Sequence, residues 1–163
     1  MTLGTLTLFC GKMGSGKSTK ASEIAANTNA LLLSEDEWLS ALYPNLISNL
    51  DDYIKYSGLL KPQIKKIVQS ALSSGCDVVM DFPANTAGQR KWLQSIYMEI
   101  NAHHVMYVFD TPDEVCLQRI KERGKAEPDR ANTDTAEMFE ATSKFFSNPA
   151  DDEQLTTVLI TVD

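Results

Sequence analysis

The sequence predicts a doubly wound α/β domain: a five-stranded parallel sheet with helices on both faces, in three layers, with a small lid. Three observations predict it. Short apolar runs alternate with helix-patterned stretches along the whole chain. The length of 163 residues fits one domain with a core of its own. A glycine-rich turn, Gly11 to Ser18, directly follows the first apolar run and opens the first helical stretch.

The elements follow in order. Leu6 to Cys10 is the first strand, and a helix runs from Lys17 to about Ala26. Ala30 to Leu33 is wholly apolar, as a strand buried on both faces must be. Ser34 is placed to cap a short helix through Asp36 and Trp38, ending near Pro44. Leu46 to Leu60 reads as loop and helix, and a further helix runs from Pro62, suited to a first turn, to Ser74, with Gly75 ending it. Asp77 to Asp81 is the third strand. Thr86 and Gln89 have the spacing of a capping box and start a helix to about Ile100. His104 to Phe109 is the fourth strand. Thr111-Pro112 opens a helix ending at Gly124, and residues 124–133 form a polar loop able to move. Asp134 or Thr135 starts a helix to about Phe146, and Thr157 to Val162 is the fifth strand.

Composition removes several classes of function. With 43% hydrophobic and 23% charged residues the chain is neither disordered nor collagen-like. A net charge of −7 works against general attraction to nucleic acid or anionic membrane. No apolar run is long enough for a transmembrane helix, and the first ten residues read as a strand rather than a signal peptide. Cys10, Cys76 and Cys116 lack metal-ligand spacing and read as reduced core thiols, so a cytoplasmic protein is expected. His103 and His104 read as structural. The sequence carries no mark of oligomeric state.

Gly11-Lys12-Met13-Gly14-Ser15-Gly16-Lys17-Ser18 fits G-x-x-x-x-G-K-[ST], between a strand and a helix as that motif requires. The glycines let backbone N–H groups wrap a polyphosphate, and the helix N-terminus adds partial positive charge. The phosphate-binding set is therefore Gly11, Met13, Gly14, Ser15, Gly16, Lys17, Ser18 and Thr19. Lys17 supplies a point charge for the β- and γ-phosphates, and Ser18 offers a hydroxyl to Mg²⁺. A P-loop NTPase domain binding ATP and Mg²⁺ is the expectation.

Other residues admit two roles each. Asp36 is either a base for an attacking hydroxyl or a first-turn acid favoured by the helix dipole, and its neighbours Glu35 and Glu37 could compete for the base role. Asp81 either helps hold Mg²⁺ or is a turn residue after a strand. Arg119 and Arg123 share a helix face, and with Arg130 they either serve a lid or make surface pairs with Glu122 and Glu127. Arg90 is either an acceptor-side cation or a helix-surface charge. Lys55, Lys61, Lys65 and Lys66 read as a solvated helix face. Trp38, Tyr43, Tyr53, Tyr56 and Trp92 either pack in the core or stack on an acceptor ring.

Four segments together resemble the small P-loop kinases. They are the P-loop, Leu33 to Glu37, Val78 to Pro83 with Arg90, and Arg119-x-x-x-Arg123-Gly124 with Arg130. The plan is that of adenylate kinase, and the nearer likeness is to the polynucleotide kinase, zeta-toxin and chloramphenicol phosphotransferase type. Phe145 to Pro149 with Glu153 is similar to that group's ending. The resemblance implies a strand order of 2-3-1-4-5. It implies Asp36 as the base that accepts the acceptor's proton, Asp81 beside Mg²⁺ and Arg119 on the adenine. Arg123 and Arg130 are implied on the transferring phosphates, and Arg90 on the acceptor.

The sequence also departs from parts of that group. Nucleoside monophosphate kinases grip the acceptor phosphate with arginines, but Met1 to Gln89 contains none, and Ala84 stands where an arginine would follow Asp81-Phe82-Pro83. Leu39 stands where polynucleotide kinases often carry an arginine. The leading expectation is transfer of the ATP γ-phosphoryl group to a hydroxyl of a small molecule: a sugar, nucleoside, sugar nucleotide or antibiotic-like compound. The alternatives are a 5′-hydroxyl polynucleotide kinase and, in another class, a regulatory ATP-binding switch without an acceptor.

Overall fold

The computed structural model describes residues 2–131 and 133–161. Its sheet has five parallel strands in the order β2-β3-β1-β4-β5, as expected. They are β1 (Thr5–Cys10), β2 (Leu31–Ser34), β3 (Val78–Asp81), β4 (His103–Asp110) and β5 (Thr157–Thr161). Val162, expected to close the last strand, lies outside the described residues.

The two faces of the sheet follow from the two-residue repeat of the strands. Leu6, Leu8 and Cys10 of β1, with Val78, Met80, Met106 and Val108, point into the larger core. Phe9, Val79 and Phe109 point the other way, onto Ala21 and Ala25 of α1 (Lys17–Thr28). The larger core is closed by α3 (Leu50–Ser73) and α4 (Ala87–Met98) through Leu60, Ile64, Val68, Leu72, Leu93 and Ile96. Short α2 (Glu35–Leu42), α5 (Asp113–Ala126) and α6 (Ala136–Ser143) complete the helices that frame the sheet's C-terminal edge.

The expected caps form. Thr86 and Gln89 make the reciprocal capping box of α4. Gly75 N–H donates to Leu72 and Cys76 N–H to Ala71, which closes α3 with the paired bonds of a Schellman turn. Ser34 ends β2 and also caps α2, its Oγ accepting from Glu37 N at 3.4 Å. The strand therefore passes into the helix with no loop between them.

Two expectations change. Pro62 does not open a helix but lies inside the 24-residue α3, which starts earlier, at an Asn49 cap that accepts from Asp52 N. Ser57, Leu60, Ile64, Val68 and Leu72 form a buried face that runs through the proline and holds one helix together. The bond that Pro62 cannot make would have gone to Gly58, which is exposed and uncrowded, so water can take its carbonyl. Likewise α5 does not end at Gly124 but continues to Ala126, followed by a 3₁₀ turn at Pro128–Arg130. The expected mobile loop is thus largely hydrogen-bonded, although Asn132 within it lies outside the described residues. No described helix is long and apolar enough to cross a membrane.

Candidate active site

A cleft of about 1460 Å³ opens above the C-terminal ends of the strands. Its floor is the loop between β1 and α1. Gly14 and Gly16 have φ of +74° and +112°, in the region that side chains rarely adopt, and both turns aim the loop into α1. A Cβ on Gly14 would lie 2.6 Å from the Cys116 carbonyl, so the loop can approach α5 only with glycine there. The N-terminus of α1 has no side-chain cap and no acid in its first turn. Ser15 Oγ is buried without a partner. An anion is the chemistry that suits such a site.

Met13 to Thr19 all line this cleft. Gly11, expected among the phosphate-facing residues, supports the loop from behind instead. Its N–H donates to Asn85 Oδ1 at 2.9 Å, and its carbonyl accepts from Lys17 Nζ. Desolvation by burial lowers the Lys17 pKa, against the opposing pull of Asp81 and Asp36. Thr111 Oγ1 donates to the Ser15 carbonyl and pins the loop from the β4 side.

Ser18 Oγ donates to Asp81 Oδ2 at 2.6 Å. A hydroxyl and a carboxylate side by side are hard oxygen donors of the kind Mg²⁺ takes. Burial raises the Asp81 pKa despite the Ser18 hydrogen bond and nearby Lys17, so a cation here would restore lost solvation. Among the described residues no three His, Cys, Asp or Glu side chains meet to hold a metal ion. The donor set fits a metal that takes its remaining ligands from phosphate and water.

On the α5 side, Arg119 Nη1 donates to the Gly14 carbonyl at 3.3 Å and lines the cleft, as do Phe109 and Ile160. Arg123 and Arg130 converge on one carboxylate. Asp134, with 2% side-chain exposure, accepts two bonds from Arg123 at 2.8 and 2.9 Å and one from Arg130 at 2.7 Å. Burial alone would raise the Asp134 pKa, but the two arginines hold it below the usual range. Arg130 also reaches across the cleft to Asp36 Oδ2 at 3.2 Å. Asp36 is itself exposed, in the first turn of α2.

Arg90 is not an acceptor-side cation. It is 1% exposed and lies outside the cleft lining. Its guanidinium is spent on Glu153 at 2.7 Å, on the carbonyls of Ala84, Ser147 and Asn148, and on Ser147 Oγ. The geometry answers why a fully buried arginine is tolerated: each face of it finds an acceptor. It ties α4 to the segment that leads into β5.

The sequence reading missed two residues. Asp134 was visible only as a helix start, although its position four after Arg130 was a signal for an acid shared with the two arginines that hold it. Glu35 stood out only as a competitor of Asp36, and its burial against α3 was not foreseen. It is 3% exposed, accepting from Tyr53 Oη at 2.5 Å and Ser57 Oγ at 2.7 Å. Tyr53 and Ser57 stand four apart on α3, a spacing that faces one partner. Burial pushes the Glu35 carboxyl up to about 7, against both hydrogen bonds. Tyr43 and Tyr56 pair at 4.6 Å, and Trp92 packs against Phe82, so these rings serve the core first. His104 stacks on Tyr97 and accepts from Thr156 N, a structural role.

A family model described as an AAA domain matches residues 6–147. The chain belongs to the AAA_33 family. Among curated proteins none matches the AAA_33 chain. Its fold is shared with small kinases. A sugar kinase from Janibacter sp. HTCC2649 superposes with a TM-score of 0.65 at 14% identity, covering 98% of this chain and 85% of that one. The APS kinase of Mycobacterium tuberculosis, in complex with AMPPNP and APS, gives 0.66 at 17%, covering 100% and 91%. A gluconokinase from Sinorhizobium meliloti 1021 gives 0.61 at 17%, covering 98% and 82%. At such identities the shared property is the fold, and the AAA_33 chain is a P-loop domain built on the small-kinase plan.

Proposed function

We propose that this protein transfers the γ-phosphoryl group of ATP to a hydroxyl of a small molecule. The observation that carries the reading is the meeting of Asp36 and Arg130 across the cleft whose floor is the P-loop. A phosphotransferase needs a carboxylate for the incoming hydroxyl and cations around the transferring group, and these two stand together.

Each residue has one task. The P-loop amides and Lys17 bind the polyphosphate, and Lys17 offsets charge that gathers on the transferring group. Ser18 and Asp81 would hold Mg²⁺, which when bound would supply charge neutralisation at the phosphates. Asp36 orients the acceptor hydroxyl and takes its proton as the oxygen bonds to the γ-phosphorus and the bond to the ADP oxygen breaks. Arg123 and Arg130 stabilise the group in transit, with Asp134 fixing both guanidinium planes. Arg119 lies beside the nucleotide base. The kinase fold of the structural neighbours supports the class of reaction. The burial of Arg90 leaves no arginine among the described residues of the acceptor end, which works against a nucleotide or a nucleic-acid end as acceptor.

The test is ATP consumption with Mg²⁺ across hydroxyl acceptors, from nucleosides and sugars to aminoglycosides and 5′-hydroxyl oligonucleotides. The expected result is an acceptor that raises turnover tenfold or more, equal to about 1.4 kcal/mol off the barrier. The rise should vanish in Asp36→Asn and Lys17→Ala. If no acceptor acts and Asp36→Asn changes nothing, the kinase reading falls and a nucleotide-binding switch takes its place.

A further inference from the structure

Three carboxylates facing the cleft have their charge answered within the fold. Asp36 meets Arg130, Asp134 meets two arginines, and Asp81 lies with Ser18 under the field of Lys17. Glu35 differs. It is almost wholly buried, it lines the same cleft, and its hydrogen-bond partners are two neutral hydroxyls, Tyr53 and Ser57. A carboxylate offers about four acceptor positions. Two are taken, so each oxygen keeps capacity for a donor arriving from the cleft.

The surroundings favour a cationic donor. The charged groups that act on Glu35 are Asp36 beside it and Lys61 on α3, and Glu35 in turn acts on Lys17 of α1. Tyr53 faces it as a neutral phenol whose own pKa burial pushes up. Lys61 is the one cation that α2 and α3 contribute to the cleft, and its Nζ lies over the Trp92 ring at 5.3 Å. Those helices contribute three carboxylates to the same lining: Glu35, Asp36 and Asp51. Tyr43, Ile47 and Ile54 supply apolar wall between them. The whole molecule, at net −7, draws cations toward it.

We propose that Glu35 selects the acceptor by charge, and that the acceptor is an amino alcohol: a hydroxyl compound carrying a protonated amine near the hydroxyl that reacts. The inference rests on the phosphotransferase reading above and names the substrate class of that site. Glu35 and Asp36 are consecutive, with Cα atoms about 3.8 Å apart. An ammonium on Glu35 and a hydroxyl at Asp36 therefore belong to one small molecule. Glu35 is a specificity residue, and the proton in transfer stays with Asp36.

The test measures binding to the full chain in the presence of Mg²⁺ and AMPPNP, by calorimetry, so that turnover is not needed. Two matched series serve as probes: glucosamine, glucose and gluconate; and 2-amino-1-phenylethanol, 1-phenylethane-1,2-diol and mandelate. In at least one series the amine should bind tenfold or more tighter than the uncharged member, with the anion weakest. Glu35→Gln keeps the side-chain shape and should cut that advantage below threefold while AMPPNP affinity stays the same. In the phenylethanol series, whose amine stays protonated over the range, lowering the pH from 8 to 6 should shrink the advantage in the wild type and not in Glu35→Gln. Equal binding within both series, no binding by any member, or an amine preference that survives Glu35→Gln would each overturn the inference. Turnover separates the two readings. Stimulation by gluconate through Asp36 would sink the amine claim and leave the kinase standing. Glu35-dependent amine binding with no Asp36-dependent turnover would do the reverse.

Discussion

Glu35 and Asp134 are both nearly sealed from solvent, yet their partners differ in charge, and the difference has a sign that can be measured. The Glu35 carboxyl is raised to about 7, so the folded state holds its proton more tightly than the unfolded chain does. Its contribution is fully present below the unfolded value and is lost as pH rises through about 7. A shift of that size corresponds to about 3 kcal/mol at most. Glu35→Gln should therefore match the wild type in urea unfolding near pH 4 and exceed it above pH 7. Asp134 runs the other way. Its carboxyl is held low by Arg123 and Arg130, so its contribution is present above the ordinary aspartate value and lost as pH falls through its folded value. Asp134→Ala should cost about 2 kcal/mol at pH 7, and the gap to wild type should begin to narrow below about pH 4. Circular dichroism in urea from pH 3 to 8 reads both curves.

At the scale of the elements, α3 carries an exposed glycine in its interior, with open space where a Cβ would stand. Gly58→Ala should raise stability by about 0.5–1 kcal/mol, since glycine costs that much in a helix. The proline four residues on is unaffected, because the added methyl points into open space. Arg90→Ala should do the opposite, losing about 3–5 kcal/mol by leaving Glu153 and several carbonyls unmatched. AMPPNP affinity should stay unchanged once the protein is folded. A tenfold loss of that affinity in a folded Arg90→Ala protein would return the residue to the site. The strands and the Thr86 capping box were legible because an apolar run of strand length and a two-residue cap are local signals. The length of α3 was not. Pro62 is a strong local signal for a helix start, and only the tertiary burial of Ser57, Leu60 and Ile64 on one face overrides it. The same limit hid the role of Arg90, whose partners other than Ala84 lie 57 to 63 residues away in the chain.

Over the whole molecule, nucleotide and fold stability are linked. Mg²⁺ with AMPPNP at a hundred times its Kd should stabilise the chain by about 2.7 kcal/mol, read as a rise in melting temperature. Lys17→Ala should abolish most of that rise with little change in the unliganded melting point. The nucleotide end of the cleft was open to sequence reading, because a P-loop keeps its ligand-binding atoms within eight residues. The part of the cleft around Glu35 was not, because Glu35, Tyr53 and Ser57 meet only when α2 folds against α3. The arginine cluster falls between: Arg123 and Arg130 stood out by their spacing, while the acid they share gave only the weaker signal of its place four residues after Arg130.

Arg90 also bears on where the molecule can be cut. The family match stops at residue 147, a natural place to trim the chain for expression. A product ending there would lack β5, Glu153 and the Asn148 carbonyl, and a guanidinium sealed inside the protein would lose its counter-ion. Such a fragment should be recovered insoluble or as a loosely packed state, while one that retains residues 148–161 should fold. The sequence limits of the family and the smallest folding unit of this protein are different things.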